Sequence, residues 1–236
     1  MIRNIKKTYL HVPEQELDND TEPLRGESYM LVDTIKSYVN FVLDYDIELI
    51  EKTGPFTVLE CEETHSMVAM EMGGERFNFT YKPDRIDRLA DGRVRIVDYK
   101  TGKDQTSFIY NDKKGLQDLF ESNMAHRRKA IMQLFLYSYA YLKEFPEEGS
   151  VMPVIYKLSS MKDSGVLWKD KSTASLQQCV FSMDNPMAQE FIGNMGEIIK
   201  ALYDDGFKQV PENPKSNHCN YCRFIDFCRR APSKSM

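Results

Sequence analysis

The chain has 236 residues, of which 28% are charged, and a formal net charge of -5. This length suits one domain that buries its own core, and the negative balance argues against a large nonspecific basic surface. No apolar run approaches the roughly 18 residues that a membrane span needs, and the first residues lack the apolar core of a signal peptide. We therefore expect a cytoplasmic protein without a membrane partner.

The first half of the chain predicts an irregular lead-in, one helix and a series of strands. Residues 1–26 are rich in proline and acids, whereas the apolar residues of 27–46 recur at helical spacing. The sequence Thr53-Gly54-Pro55 then breaks the helix. Alternating and β-prone stretches predict strands at 56–62, 66–72, 76–88 and 93–101, with turns at 73–74 and 90–92.

The second half predicts two helices and further strands. Residues 103–123 are polar and indicate a loop with some helix, whereas 125–143 are apolar nearly all round, which is typical of a buried helix. This order predicts a mixed α/β sheet flanked by helices, in a single domain of residues 1–236. The remaining predicted parts are a strand at 151–158, a weaker strand at 178–183, a helix at 186–203 and a cysteine-containing tail at 211–236, which leaves 27–210 as the core.

Two acidic strands contain the sharpest pattern of the chain. Side chains alternate along a strand, so Asp98 and Lys100 share one face with apolar neighbours. An aspartate and a lysine in such a place are costly unless they have a function. If residues 90–92 form a three-residue loop, with Gly92 at the positive φ it requires, Asp84 falls opposite Asp98.

The same register puts Asp87 opposite Arg95 on the other face, whereas a two-residue turn would change both pairings. Two opposed carboxylates with Cβ atoms about 5 Å apart destabilise a sheet unless a positive group lies between them. Their hard oxygens suit Mg²⁺, or Mn²⁺ as a substitute. Lys100 could then orient a water or stabilise charge on a phosphate. A surface hairpin with Asp–Arg and Asp–Lys pairs remains the simpler alternative.

The segment from Ile96 to Gly102, preceded by 84–87, resembles the PD-(D/E)XK nuclease signature of the RecB and AddB exonuclease group. The resemblance implies a restriction-endonuclease-like core in which Asp84, Asp98 and Lys100 are catalytic. It also implies that Asp84, Asp98 and the backbone carbonyl of Tyr99 bind the metal. It agrees with the register in choosing Asp84 over Asp87.

Gln133 and Tyr137 lie four residues apart and so share a face of the long apolar helix. A glutamine in such a helix has to find partners for its amide, and a structural hydrogen bond to a strand would provide them. The pair also resembles the Q-x-x-x-Y motif of RecB-like nucleases. That resemblance implies that both residues support the active site and contact the DNA strand.

Three of the five cysteines, Cys219, Cys222 and Cys228, form a C-x2-C-x5-C pattern near the end of the chain. Such thiolates suit zinc or an iron–sulfur cluster, each of which needs a fourth ligand. The tail resembles that of AddB-like nucleases, which implies a structural [4Fe–4S] cluster. Its upstream cysteine is missing before residue 27, and Cys61 and Cys179 are expected to be small core residues. The fourth ligand is therefore not identified, and the chain resembles the C-terminal part of a longer nuclease without its opening helices.

Together these features predict a Mg²⁺-dependent deoxyribonuclease. The resemblance implies an exonuclease of double-strand-break repair and recombination that works with a helicase subunit or domain. The alternative is a catalytically inactive, metal-stapled module that binds DNA ends, and a metal-dependent phosphatase is a distant third. The basic clusters at 113–114 and 127–129 are either DNA contacts or solvated surface.

Overall fold

The computed structural model describes residues 26–102, 104–110, 116–120, 128–169 and 177–204, together with Arg223 and Phe227. Four α-helices lie in these ranges: α1 (Glu27–Thr53), α2 (Gln117–Phe120), α3 (Lys129–Glu144) and α4 (Pro186–Asp204). Ten strands accompany them: β1 (Thr57–Cys61), β2 (His65–Met72), β3 (Glu75–Tyr81), β4 (Arg85–Arg88), β5 (Val94–Lys100), β6 (Ser107–Ile109), β7 (Ser150–Lys157), β8 (Leu167–Lys169), β9 (Gln177–Gln178) and β10 (Phe181–Ser182).

A five-stranded mixed sheet forms the centre, in the order β1-β4-β5-β7-β10. The strands β5 and β7 run parallel, whereas the other neighbours in this sheet are antiparallel. Because a parallel neighbour needs a long crossover, the chain passes through α3 between these two strands. The predicted mixed sheet with helical cover is confirmed.

Helices cover both faces of this sheet. On one face, Ile96 and Ile155 pack with Phe135 of α3 and Phe191 of α4. On the other face, residues of α1 pack against β5 and β7, among them Tyr45, whose ring contacts that of Tyr156. Both faces of the central strands are therefore covered, and β5 and β7 are buried along most of their length. Within the described residues, no helix has the length and apolar character required to cross a membrane.

Most predicted elements occur, but two differ in extent. The first helix continues beyond residue 46 to Thr53, where Gly54 at a φ of 87° donates its N–H to the Ile50 carbonyl and ends it. The predicted strand 76–88 is two strands that belong to different sheets, because β3 pairs with β2 whereas β4 pairs with β1 and β5. Pro83 lies in the break and has no N–H to continue a ladder.

Shorter strands in the second half were not anticipated. The predicted loop 103–123 contains β6 as well as the short helix α2, and β6 joins β8 and β9 in a small sheet. The weak strand predicted at 178–183 divides into β9 and β10. Strands of two or three residues carry too little periodicity to be recognised in a sequence.

Candidate active site

The hairpin between β4 and β5 has the register that the sequence predicted. Asp87 lies opposite Arg95 and Arg85 opposite Val97. The loop closes as expected, because the Gly92 N–H donates to the Leu89 carbonyl at 3.0 Å and Gly92 has a φ of 86°. Continuing this register by one residue brings Asp84 opposite Asp98. The three-residue loop therefore selects the predicted acidic pair.

The two predicted aspartates meet at the end of β5. Asp84 Oδ2 accepts a hydrogen bond of 2.7 Å from the backbone N–H of Tyr99. Asp98 is only 3% exposed, and Lys100 Nζ donates to its Oδ1 at 3.0 Å. The carboxylate of Asp84 is thus fixed directly beside the strand that carries the other predicted residues.

Pro83 leaves the backbone carbonyl of Tyr99 without a hydrogen bond from its antiparallel neighbour. The Leu89 N–H donates to the Arg93 carbonyl at 2.9 Å, so hydrogen-bonded pairs recur every second residue and the next ones include 83 with 99. Pro83 has no N–H to donate to the Tyr99 carbonyl, and the Tyr99 N–H donates to the Asp84 carboxylate. In a strand the N–H and C=O of one residue point to the same side. The Tyr99 carbonyl therefore lies on the β4 side of β5, and residue 83 cannot donate a hydrogen bond to it.

The predicted glutamine and tyrosine of α3 continue the same chain of contacts. Lys100 Nζ donates to Gln133 Oε1 at 3.3 Å, and Gln133 Nε2 donates to the hydroxyl of Tyr137 at 3.0 Å. The four-residue spacing places both side chains on one side of the helix, as predicted. The structure thus joins Asp98, Lys100, Gln133 and Tyr137 in one hydrogen-bonded series.

The electrostatics of this centre favour a positive occupant. Burial raises the pKa of Asp98 to about 6; the ion pair with Lys100 opposes this rise, and the nearby charges of Asp84 and Asp104 add to it. Both oxygens of the buried Asp98 carboxylate face Lys100 Nζ, which lies 3.0 Å from Oδ1 and 2.7 Å from Oδ2. The Lys100 ammonium group therefore balances one carboxylate charge, and a cation beside Asp84 and Asp98 would balance the other.

The oxygen donors of this centre fit Mg²⁺ better than they fit a metal ion that needs three or more side-chain ligands. Among the described residues, no group of three or more His, Cys, Asp or Glu side chains could hold a metal ion. Mg²⁺ usually binds to one or two carboxylates, and waters and substrate phosphates complete its shell. Asp84, Asp98 and the Tyr99 carbonyl supply a set of this kind.

A buried charge network supports the centre from the opposite face of the sheet. Arg85 Nη1 donates to Asp46 of α1 at 2.8 Å, and the Tyr156 hydroxyl donates to the same carboxylate at 2.6 Å. Asp87 is fully buried and pairs with both Arg85 and Arg95. The predicted placement of Asp87 away from Asp98 is confirmed. The network ties α1 to β4 and β5 directly behind the acidic pair.

A second network lies beside Tyr137. His65 contacts Glu60 at 2.8 Å and Glu144 at 2.9 Å through its two ring nitrogens, and its ring stacks on Tyr81. The Tyr81 hydroxyl donates to Glu144 at 2.9 Å, and its ring contacts that of Tyr137. No motif of the sequence marks these residues. The network around Arg85, by contrast, had a sequence signal. Asp46 lies four residues after the apolar position 42 and next to 45, on the buried side of α1.

The cysteine predictions have mixed outcomes. Cys219, Cys222 and Cys228 lie outside the described residues, so the predicted cluster stays a prediction. Cys179 is completely buried, as expected of a small core residue. Cys61 is exposed, and its placement in the core was wrong because β1 pairs only with β4 in the central sheet and forms its edge.

Fold and site together define a mixed α/β protein with a paired-aspartate and lysine centre at the end of a buried hairpin. Residues 8–229 match the family model of the PD-(D/E)XK nuclease superfamily. The chain therefore belongs to the PD-(D/E)XK nuclease superfamily, and its mixed sheet with helices on both faces is consistent with the restriction-endonuclease-like fold.

Other comparisons add little detail. No curated protein matches the chain. Among solved structures, the crystal structure of SSO0001 aligns with 100% of this chain and 82% of its own, at 11% identity and a TM-score of 0.33.

Proposed function

We propose that this chain is a divalent-metal-dependent deoxyribonuclease whose catalytic residues are Asp84, Asp98 and Lys100. One observation carries the proposal. The carboxylate of Asp98 is buried and in contact with Lys100 Nζ, and the register of the β4–β5 hairpin, continued by one residue, brings Asp84 opposite it. Membership of a nuclease superfamily supports the same chemistry.

Asp84, Asp98 and the Tyr99 carbonyl would hold Mg²⁺ or Mn²⁺. A divalent cation bound there supplies Lewis-acid polarisation of the scissile phosphate and activation of a water nucleophile. Asp98 is ready for this role above about pH 6, where its carboxyl group has lost its proton. The hydrogen bond from the Tyr99 N–H fixes the orientation of Asp84 without using a side chain.

Lys100 contributes a fixed positive charge. Two acceptors, Asp98 Oδ1 and Gln133 Oε1, hold its Nζ atom at the end of β5. In that position the ammonium group would stabilise negative charge that develops on the phosphate. Because an ammonium group can only donate, it selects the oxygen of the Gln133 amide, and the Tyr137 hydroxyl accepts from the remaining Nε2. Gln133 and Tyr137 are therefore positioning residues for Lys100.

The finer parts of the proposal rest on the resemblance to RecB and AddB nucleases. They are exonucleolytic digestion of linear DNA in double-strand-break repair and recombination, a helicase partner and a cytoplasmic location. They also include an iron–sulfur cluster on Cys219, Cys222 and Cys228 with a further ligand. An anaerobic preparation with a visible iron–sulfur absorption and about four irons per chain would support the cluster. A colourless protein that contains zinc would show that these cysteines bind zinc and not iron.

Cleavage of end-labelled linear DNA in the presence of Mg²⁺ tests the central proposal. The wild-type chain should shorten the DNA, and Asp98→Ala should lose this activity while it still binds DNA. Asp44→Ala, which removes an exposed carboxylate of α1, is the matched control and should cleave normally. Equal inertness of wild type and Asp98→Ala with retained binding would favour the inactive DNA-end-binding module. Activity on small phosphoesters but not on DNA would favour a phosphatase.

A further inference from the structure

A second lysine lies beside Lys100 on the same face of the sheet. The strands β5 and β7 are parallel and in register, with Asp98 beside Ile155 and Lys100 beside Lys157. In-register residues of neighbouring strands point to the same face and lie about 5 Å apart. The Leu158 N–H donates to the Lys100 carbonyl at 2.9 Å, so the pairing holds to the ends of both strands.

The packing of β7 shows which face this is. Val151 and Ile155 belong to the core under α3 and α4, whereas Tyr156 and Leu158 belong to the core under α1. Lys157 continues the first series, which is the face that carries the Asp98 and Lys100 centre. The residue is half-buried, so it is partly accessible to solvent at the end of this face.

The two lysines differ in their partners. Lys100 Nζ is held by Asp98 and Gln133. The backbone N–H of Lys157 donates to Ser164 Oγ at 3.0 Å, but no carboxylate in the described part of the chain pairs with its side chain. Two neighbouring lysines repel each other, and among the described residues a counter-ion pairs with Lys100 but not with Lys157. An anion beside Lys157 would balance the second charge.

The first turn of α3 adds to the positive potential at this place. Gln133, which contacts Lys100, is the fifth residue of the helix, so the N-terminus of α3 is about 6 Å farther along its axis. The N-terminal end of a helix carries a partial positive charge that favours anions. The helix start therefore adds a partial positive charge near Lys100, beside the carboxylates of Asp84 and Asp98.

We propose that Lys157 forms a phosphate-binding subsite beside the catalytic centre and contacts the DNA phosphate next to the one that is hydrolysed. This inference rests on the proposed function for the identity of the anion. It assigns hydrolysis to Lys100 with the two aspartates and assigns holding of the neighbouring phosphate to Lys157. A lysine that contacts a phosphate does not distinguish between bases, so Lys157 should contribute equally to binding of every DNA sequence.

The test is the salt dependence of DNA binding, measured by fluorescence anisotropy with a labelled duplex in EDTA, where no metal supports cleavage. Each phosphate that a protein neutralises contributes about 0.9 to the slope of log Kd against log salt concentration for duplex DNA. Lys157→Gln should lower this slope by about one contact and raise Kd about fivefold at low salt. Lys157→Arg keeps the charge and should keep the wild-type slope.

Lys162→Gln is the matched control, because it removes the same charge from an exposed position in the turn after β7. Its slope should equal that of the wild type. Equal slopes for Lys157→Gln and Lys162→Gln would overturn the subsite, even if the wild type cleaves DNA. Loss of slope only in Lys157→Gln, in a chain that never cleaves DNA with Mg²⁺, would support the subsite and overturn the proposed nuclease.

Discussion

Replacing Asp98 by asparagine should make the metal-free protein more stable while it abolishes activity. In the folded protein the pKa of Asp98 rises from an ordinary 3.8 to about 6, mainly because the carboxyl group is buried. Since the folded-state pKa is the higher one, this group stabilises the fold fully below about pH 4, and the contribution is lost as pH rises through 6. This rise in the pKa of Asp98 corresponds to a loss of roughly 3 kcal/mol in the free energy of unfolding at pH 7.5.

Asp98→Asn removes that buried negative charge, but it also removes the ion pair with Lys100. The lysine keeps two hydrogen-bond acceptors, Gln133 and the amide oxygen of the new asparagine. We therefore expect a net gain of about 1–2 kcal/mol at pH 7.5, or an increase in Tm of roughly 2–8 °C for a domain of this size. The advantage over wild type should shrink as pH falls toward 4, because the wild-type carboxyl group then becomes neutral as well.

Urea denaturation in EDTA at pH 7.5 and pH 4.5 measures both effects. Asp44→Asn, in which the lost carboxylate is exposed on α1, controls for the change in net charge and should show no comparable gain. Adding Mg²⁺ at pH 7.5 should stabilise the wild type by mass action and Asp98→Asn much less. A variant that is less stable than wild type at pH 7.5, or an advantage that grows toward pH 4.5, would refute the reasoning.

Three further substitutions test the supports of the site. Pro83→Ala restores an N–H that competes for the carbonyl of residue 99, so the Mg²⁺ concentration for half-maximal cleavage should rise about tenfold; an unchanged value would argue against a role for that carbonyl. Asp46→Ala leaves the buried guanidinium of Arg85 without its bidentate partner and should cost about 3–5 kcal/mol in urea unfolding, whereas a loss below 1 kcal/mol would show that water replaces it. Gly196→Ala places a Cβ atom 2.6 Å from the backbone nitrogen of Gly73 in the β2–β3 turn and should cost about 1–3 kcal/mol, measurable as a lower Tm; an unchanged Tm would mean that the turn moves away freely.

The predictable part of this protein is the part with local signals. Gly92 marks a three-residue loop, and loop length alone fixed the register that selects Asp84 over Asp87. The four-residue spacing of Gln133 and Tyr137 placed both on one side of a helix. Such patterns depend on neighbours in sequence, so they survive without knowledge of the tertiary structure.

The remaining contacts depend on packing between distant segments. The neighbourhood of Lys157 and Lys100 follows from a parallel pairing across 57 positions, which no local pattern encodes. His65 meets Glu144 only because the β2–β3 hairpin packs against the end of α3. The division of the predicted strand 76–88 likewise depends on which sheet each half joins. Pro83 was a local signal for that division, because a proline has no N–H to continue the hydrogen-bonded ladder of a strand.

The central claim is that Asp84 and Asp98 form one metal-binding catalytic centre, and single-turnover cleavage of end-labelled linear DNA tests it most directly. Asp84→Asn should reduce the Mg²⁺-dependent rate by about 100-fold or more. Glu62→Gln is the control, because Glu62 follows β1 beside Asp84, with its backbone N–H on the Asp84 carbonyl, and its side chain is exposed. Its rate should stay near that of the wild type. Equal rates for Asp84→Asn and Glu62→Gln, at equal DNA binding, would contradict the claim.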